Sequence, residues 1–469
     1  MTAIEVERIE RFIIPVVSFI LLFLPIFYFL LFKGFELFVF LFFFAFPIVL
    51  IFLKLPKIWC YFVTLSFAVF LIYRGKDDQV DVLEIAFALL VIPGLIYFFI
   101  HKLFVEKKQI IQNYGDLFIL LFFIFLPFNG LIAFLNDVDI FRWVREISIL
   151  ILLLFYFPLR EYIKSEKELG ILLLCALIAV FSSIGYLIYH YRETTLVTAS
   201  YAYELVFGLG AKVKINHTVF TAAYFTSIIL FVTRKNLLLR VIVFLTAFAS
   251  LVALIVTVSR TFWIVVLLGT IVLFIYYGWK ERLRILFFYF VIAISTLGVI
   301  YWTFGSNYKL VTRLIEYRFL TSTQGKKDKS VMGRLAEYPV VLRGIAENPL
   351  WGNGFAKKIR FRDPIFVRTS TSHNIHNGFT SMLFRAGIPL ALFYISFFIY
   401  YFFKSFRLIL ATKRHYLQPY VLSGFIILII LFVSQFTNQQ FLFRDFNFSA
   451  FIAIAMIEFV NRNYKRILS

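Results

Sequence analysis

Runs of roughly twenty apolar residues, each long enough as a helix to cross about 30 Å of hydrocarbon, recur from residue 13 to residue 460 and are broken only by short charged stretches. Every backbone N–H and C=O inside a bilayer must find its partner within the chain, which leaves helices as the way for such runs to span it. With 62% hydrophobic residues, 64 phenylalanines and 16% charge, a soluble fold is excluded, because no water-exposed domain has interior enough for that much apolar surface. The expected fold is all-α: a polytopic integral membrane protein with about 12 to 14 transmembrane helices. Candidate spans centre on 13–32, 37–53, 58–73, 85–100, 117–135, 142–158, 171–190, 218–233, 241–258, 261–277, 285–304, 379–403, 420–436 and 443–460. The sixth is interrupted by Arg142, Arg145 and Glu146.

Lysine and arginine placement sets the orientation. With both termini cytoplasmic, the inner segments hold 23 of these residues and the short outer loops 10, which obeys the positive-inside rule. Residues 305–378 then lie on the outer, periplasmic face. They carry 13 basic against 5 acidic residues, a charge that a loop longer than about 60 residues can keep through translocation. The chain thus divides into a transmembrane scaffold, 1–304, that supplies part of the active site, a large extracytoplasmic catalytic loop, 305–378, and C-terminal transmembrane helices, 379–469. A basic outer loop attracts anionic lipid headgroups, and arginines there also supply planar, bidentate donors for a phosphate-bearing substrate.

Cys60 and Cys175 both fall within candidate spans and read as small buried residues, with neither a disulfide framework nor a thiol nucleophile implied. The charged N-terminal run, Met1–Phe12, leads into an apolar stretch without a small-residue cleavage pattern and reads as an uncleaved first helix. Asp77, Asp78 and Asp81 lie on the outer side and read as a solvated turn rather than a cation site. No cofactor and no metal is expected.

Three places depart from lipid-facing logic. Ser259-Arg260 sits between two apolar runs with no turn residue, so Arg260 is at the outer membrane boundary, either snorkelling to the interface or aimed into a wet cavity. Residues Gly333 to Ile345 space Leu335, Tyr338, Leu342 and Ile345 at helical intervals. They predict an amphipathic helix along the membrane face, with Arg334 at its start, Arg343 near its end and Pro339 close to its first turn. Asn348-Pro349-Leu350-Trp351-Gly352-Asn353-Gly354 then breaks the chain. Finally, His373-Asn374-Ile375-His376-Asn377 closes the loop directly before a long apolar run. Imidazole titrates nearest physiological pH, so a histidine beside several arginines suits proton transfer at a charged substrate.

These three places resemble the bacterial O-antigen ligase and O-antigen polymerase superfamily. The resemblance rests on His376-Asn377 followed by Gly387, on Gly333-Arg334 followed by the Asn348-Pro349-Leu350 to Gly354 stretch, and on Ser259-Arg260. It covers residues 216–395. The family pattern often carries a second glycine three residues after the first, where this chain has Leu390, and ligase and polymerase both stay open.

The resemblance implies a glycosyltransferase of the GT-C type in the cytoplasmic (inner) membrane, acting on its periplasmic side. Its donor is a glycan on undecaprenyl pyrophosphate. Its acceptor is the lipid A core oligosaccharide for a ligase, the first reading, or another lipid-linked glycan for a polymerase. Arg260 and Arg334 are the candidates to hold the pyrophosphate, and His376 is the candidate base. His373, Asn374, Asn377, Tyr338 and Arg343 are the candidate substrate-binding residues, with His373 either orienting His376 or binding the acceptor. The reaction is expected to be metal-independent and inverting, with membrane lipids around the protein and no nucleic acid involved. A transporter or flippase of an anionic lipid-linked substrate is the rival. Against it stand the concentration of polar residues in one outer loop and the lack of an internal repeat.

Overall fold

A computed structural model of the protein describes residues 54–72, 82–190, 217–257, 259–304, 316, 329–363, 368–413 and 415–468. In chain order the helices are α1 (Pro56–Phe70), α2 (Val82–Ile100), α3 (Tyr114–Leu135), α4 (Ile140–Ile151), α5 (Tyr156–Tyr162) and α6 (Glu166–His190). There follow α7 (His217–Thr233), α8 (Leu237–Val256), α9 (Arg260–Tyr276), α10 (Trp279–Phe304) and α11 (Lys329–Glu347). Two short strands, β1 (Ile359–Asp363) and β2 (Arg368–Ser372), precede α12 (Gly378–Ala411), α13 (Gln418–Ser434) and α14 (Arg444–Leu468). The expected spans 13–32 and 37–53 lie outside the described residues, as do Asp77, Asp78 and Asp81.

Polar residues at the ends of the apolar runs start the helices. Asn113 accepts a hydrogen bond from the backbone N–H of Asp116 at 3.1 Å, Asp139 from Phe141 at 2.8 Å, and Asn236 from Leu239 at 3.1 Å. Each fills a donor that a helix N-terminus leaves open. Among the described residues, five helical stretches are long and apolar enough to cross a membrane: Glu84–Val105, Tyr114–Leu135, Glu166–His190, Leu237–Ile255 and Gly378–Ala411. The bundle closes on one continuous apolar core, in which α14 is almost wholly buried between α13, α12 and the α4–α5 region. Large side chains such as Phe134, Leu135, Leu237, Ile275 and Phe290 stay exposed. So much outward apolar surface belongs in hydrocarbon. The chain is an all-α, polytopic membrane protein.

Two regions differ from the sequence expectation. The sixth candidate span is not one straight helix: α4 passes through a 3-10 turn, Leu152–Phe155, into α5. The cause is the polar side of α4. Arg145 donates to Glu84 at 3.0 Å, Arg142 donates to the His373 ring, and Glu146 accepts from Ala356 and Arg385, so α4 is held at the end of the bundle by its charges.

The amphipathic helix also starts earlier than expected. It begins at Lys329, which puts Pro339 in its middle and Arg334 in its second turn. Leu335 and Leu342 of the expected apolar stripe are exposed on the outer side of the helix, and the face turned to the protein is Glu337, Val341 and Gly344. That face covers a small second core made with Ile359, Phe361, Ile375 and Phe384. The hairpin supplies part of it: β1 and β2 pair antiparallel with Phe361 opposite Ser370, Ile359 and Phe361 point inward, and Arg360 and Arg362 point to solvent.

Candidate functional site

A break in α12 organises the site. Gly387 has φ 77° and ψ 170° inside this helix, and Pro389 two residues on has no N–H to return to the carbonyl of Arg385. The carbonyls of Phe384 and Arg385 are therefore left without helical partners, and the segment after α11 supplies them. Asn353 donates to Phe384 from its backbone N–H at 2.8 Å and from its side chain at 3.1 Å. Gly354 N–H and the Asn129 amide reach the Arg385 carbonyl at 2.9 and 2.8 Å. In return Ile388 N–H donates to the Pro349 carbonyl at 2.7 Å.

The two chains run so close that a Cβ on Gly387 would stand 2.3 Å from the Leu350 carbonyl oxygen, and one on Gly352 would stand 2.4 Å from the Gly387 nitrogen. Thus the glycines of both sequence motifs serve a single seam.

Arg385, just before the break, is fully buried. Its guanidinium donates to the Glu146 carboxylate and to the His373 carbonyl. Glu146 also accepts from the Ala356 N–H at 2.8 Å, and Ala356 adopts a left-handed φ of 64°. The His373 ring is used on both sides. Nδ1 lies 3.1 Å from the Ala356 carbonyl, which can only accept, so Nδ1 carries the proton. Nε2 accordingly accepts from Arg142. Burial holds the His373 pKa below its ordinary value of 6.5, and the neighbouring charges of Arg142 and Lys358 push the same way.

A depressed folded-state pKa means that the unfolded chain takes up this proton first as pH falls. The stabilising contribution is complete above about pH 6.5 and is lost as pH drops through the lower, folded-state value. The melting temperature of the purified protein should therefore decline below about pH 6.5, and His373→Gln should flatten that decline. An identical pH profile in the variant would remove His373 as its source.

His376 has different surroundings. Its Nδ1 lies 2.8 and 3.0 Å from the two carboxylate oxygens of Glu337, and its backbone N–H donates to the same carboxylate at 3.2 Å. A carboxylate accepts, so Nδ1 carries the proton and Nε2 holds the lone pair of the neutral ring. The Glu337 side chain is 6% exposed and that of His376 29%, so the carboxylate is sequestered while the ring is partly exposed. It is Glu337 that orients His376; His373 is engaged with Ala356 and Arg142.

The residues around His376 fix the backbone that carries it. Ile375 is buried in the second core and its N–H donates to Gln439 at 3.0 Å. The Gln439 amide in turn donates to Asn374. Asn377 caps α12 by accepting from the Thr380 N–H at 3.0 Å. A side chain at Gly378 would displace the Gln435 amide, since its Cβ would stand 1.8 Å from that side-chain oxygen.

Arg334 precedes Glu337 by three residues on α11 and so shares its side of the helix. Arg334 and Tyr338 are half-buried and Arg343 is exposed. Arg260 is the first residue of α9, and its side chain lies outside the described ones. Its helix nonetheless starts at the same end of the bundle: Phe262 stacks on His217 at 4.7 Å, and Thr218, the next residue, bonds Gln440 at 3.3 Å, adjacent to the Gln439 that holds Ile375. Among the described residues no three His, Cys, Asp or Glu side chains converge in a way that could hold a metal ion.

Residues 245–395 match the O-antigen ligase family. This segment carries the chain's similarity to the O-antigen ligase and polymerase superfamily. The match runs from α8 into α12 and so takes in Arg260, Arg334, Glu337, the glycine seam and both histidines. No curated protein matches the chain.

Glu337, Glu146 and Arg142 escape the sequence reading. For Glu337 the signal was present, one helical turn after Arg334. Arg142 and Glu146 were visible only as a flaw in a candidate span.

Proposed function

We propose that the protein is an O-antigen-type ligase, which transfers a glycan from undecaprenyl pyrophosphate to the lipid A core oligosaccharide at the outer face of the cytoplasmic membrane. The observation that carries this reading is the Glu337–His376 pair, held on the same helix side as Arg334 within the segment that matches the O-antigen ligase family.

The acceptor hydroxyl loses its proton to His376 Nε2 as its oxygen bonds to the anomeric carbon. The bond from that carbon to the pyrophosphate oxygen breaks on the opposite face, so the anomeric centre inverts. The imidazolium that forms is stabilised by the Glu337 carboxylate, and the charge gathering on the pyrophosphate falls to Arg334 and Arg260. Fixed guanidinium groups do this without a metal ion.

The deciding experiment incubates purified protein with undecaprenyl-pyrophosphate-linked glycan and either lipid A core or a second lipid-linked glycan. Transfer to lipid A core is expected. Chain growth on the second lipid-linked glycan alone would make the protein a polymerase instead. Transfer lost on exhaustive chelation and regained with magnesium would overturn the metal-free mechanism. Arg334→Ala is expected to cost about 2 to 3 kcal/mol of transition-state stabilisation, roughly 30- to 150-fold in rate. Arg334→Lys should recover only part, because a point charge lacks the bidentate fork. Unchanged transfer in purified Arg334→Ala would return that residue to a surface role.

A further inference from the structure

Away from the histidine loop, α6, α7, α8, α13 and α14 leave between them a half-open cleft of about 610 Å³. Well-packed interiors hold few voids larger than a water molecule, and this one has the volume of a ligand site. Leu173, Leu177, Ala223, Ile427, Ile452 and Met456 line its body, and the wall is overwhelmingly apolar. Water gains nothing there, and the wall suits a hydrocarbon chain.

One end of the cleft is polar. Arg234 donates to Glu166 at 2.6 Å and lies over the Tyr420 ring at 5.2 Å, while Tyr420 donates to the same carboxylate at 2.8 Å. Lys235 adjoins them at the rim, and Arg240 packs against the Arg234 carbonyl at 2.6 Å. Glu166 is paired with Arg234 while Lys235 at the mouth and Arg240 beside it add positive charge, so the mouth favours an anion.

Along α7 the lining runs from Val219 to Leu230, a length of about 16 Å at helical rise. That is about half of a 30 Å hydrocarbon core, so the cleft has the depth of one leaflet. α13 fixes which leaflet: Tyr420 stands at the cationic mouth, whereas Gln435 at the far end of the helix accepts from Gly378 at the histidine loop. The two are separated by about 22 Å.

We propose that this cleft binds one acyl chain of an anionic glycerophospholipid from the leaflet opposite the histidine loop, with the lipid phosphate on Arg234 and Lys235. A polyprenyl donor whose pyrophosphate sits near His376 cannot place its headgroup here. The site is independent of the reaction proposed above.

The test measures lipid binding to the full-length purified protein by native mass spectrometry, with phosphatidylglycerol, phosphatidylcholine and undecaprenyl phosphate as separate probes. One phosphatidylglycerol should be retained in preference to the other two. Ala223→Trp, which fills the cleft, should abolish retention. Lys235→Glu, an exposed change that leaves the packing alone, should weaken it at least tenfold. Equal retention of phosphatidylcholine, stronger retention of undecaprenyl phosphate, or unchanged binding in Lys235→Glu would each overturn the proposal.

Discussion

His376→Ala is expected to lower glycan transfer by roughly 100- to 10,000-fold, the loss that follows removal of a general base, while donor binding and protein level stay near wild type. The separation between turnover and binding follows from the packing. The imidazole is partly exposed and, among the described residues, is bonded to the Glu337 carboxylate, so truncation opens no core cavity. The neighbouring backbone is held by Ile375, Gln439 and the Asn377 cap.

A companion measurement isolates the carboxylate. Glu337→Gln keeps an acceptor for Nδ1–H but removes the charge that stabilises an imidazolium. It should reduce kcat while leaving KM for the donor nearly unchanged. Wild-type transfer in purified His376→Ala would remove His376 from the chemistry, and a rise in donor KM alone would make it a binding residue.

What was legible in the sequence follows the range of the forces involved. Membrane helices are written in runs of consecutive apolar residues, and α3, α6, α8 and α12 could be placed because hydrophobic length is a local property. The hairpin was also written locally, as the alternation Ile359-Arg360-Phe361-Arg362, but two strands of five residues are a faint signal beside helical runs several times longer. On α11 the spacing of Leu335, Tyr338, Leu342 and Ile345 suggested an amphipathic helix along the membrane face. The side that is actually buried contains a charged residue, Glu337, whose burial is tolerable because His376 pairs with it from 39 residues away. Hydrophobic periodicity cannot see such a partner. The same holds for Arg385, which reads as a charge inside a span until Glu146, 239 residues distant, closes its hydrogen bonds. A buried ion pair defeats composition-based reading because each half alone looks like a surface residue.

Gly387→Ala is expected to be severely damaging, with a loss of stability above about 4 kcal/mol, in the range reserved for backbone clashes and strained φ/ψ. Two penalties combine. The φ of 77° is one that side chains rarely adopt, and the new methyl would overlap the backbone at Leu350 and Gly352, with atoms at 2.3 to 2.7 Å. The overlap is with main chain, so no second substitution can make room.

Gly269 offers the contrast. An added Cβ there would also come to 2.3 Å of an atom, but the atom belongs to the Phe225 ring. Gly269→Ala should therefore be rescued by Phe225→Leu, whereas no single partner change rescues Gly387→Ala. Protein yield and melting temperature in detergent check both cases. Should Gly387→Ala melt with the wild type, the seam between the broken helix and the Asn348–Gly354 segment would not be what holds the histidine loop in place. If it melts early while Gly387→Ala carrying Leu350→Ala fares no better, the clash is with backbone, and the two glycine motifs, far apart in sequence, are requirements of one contact.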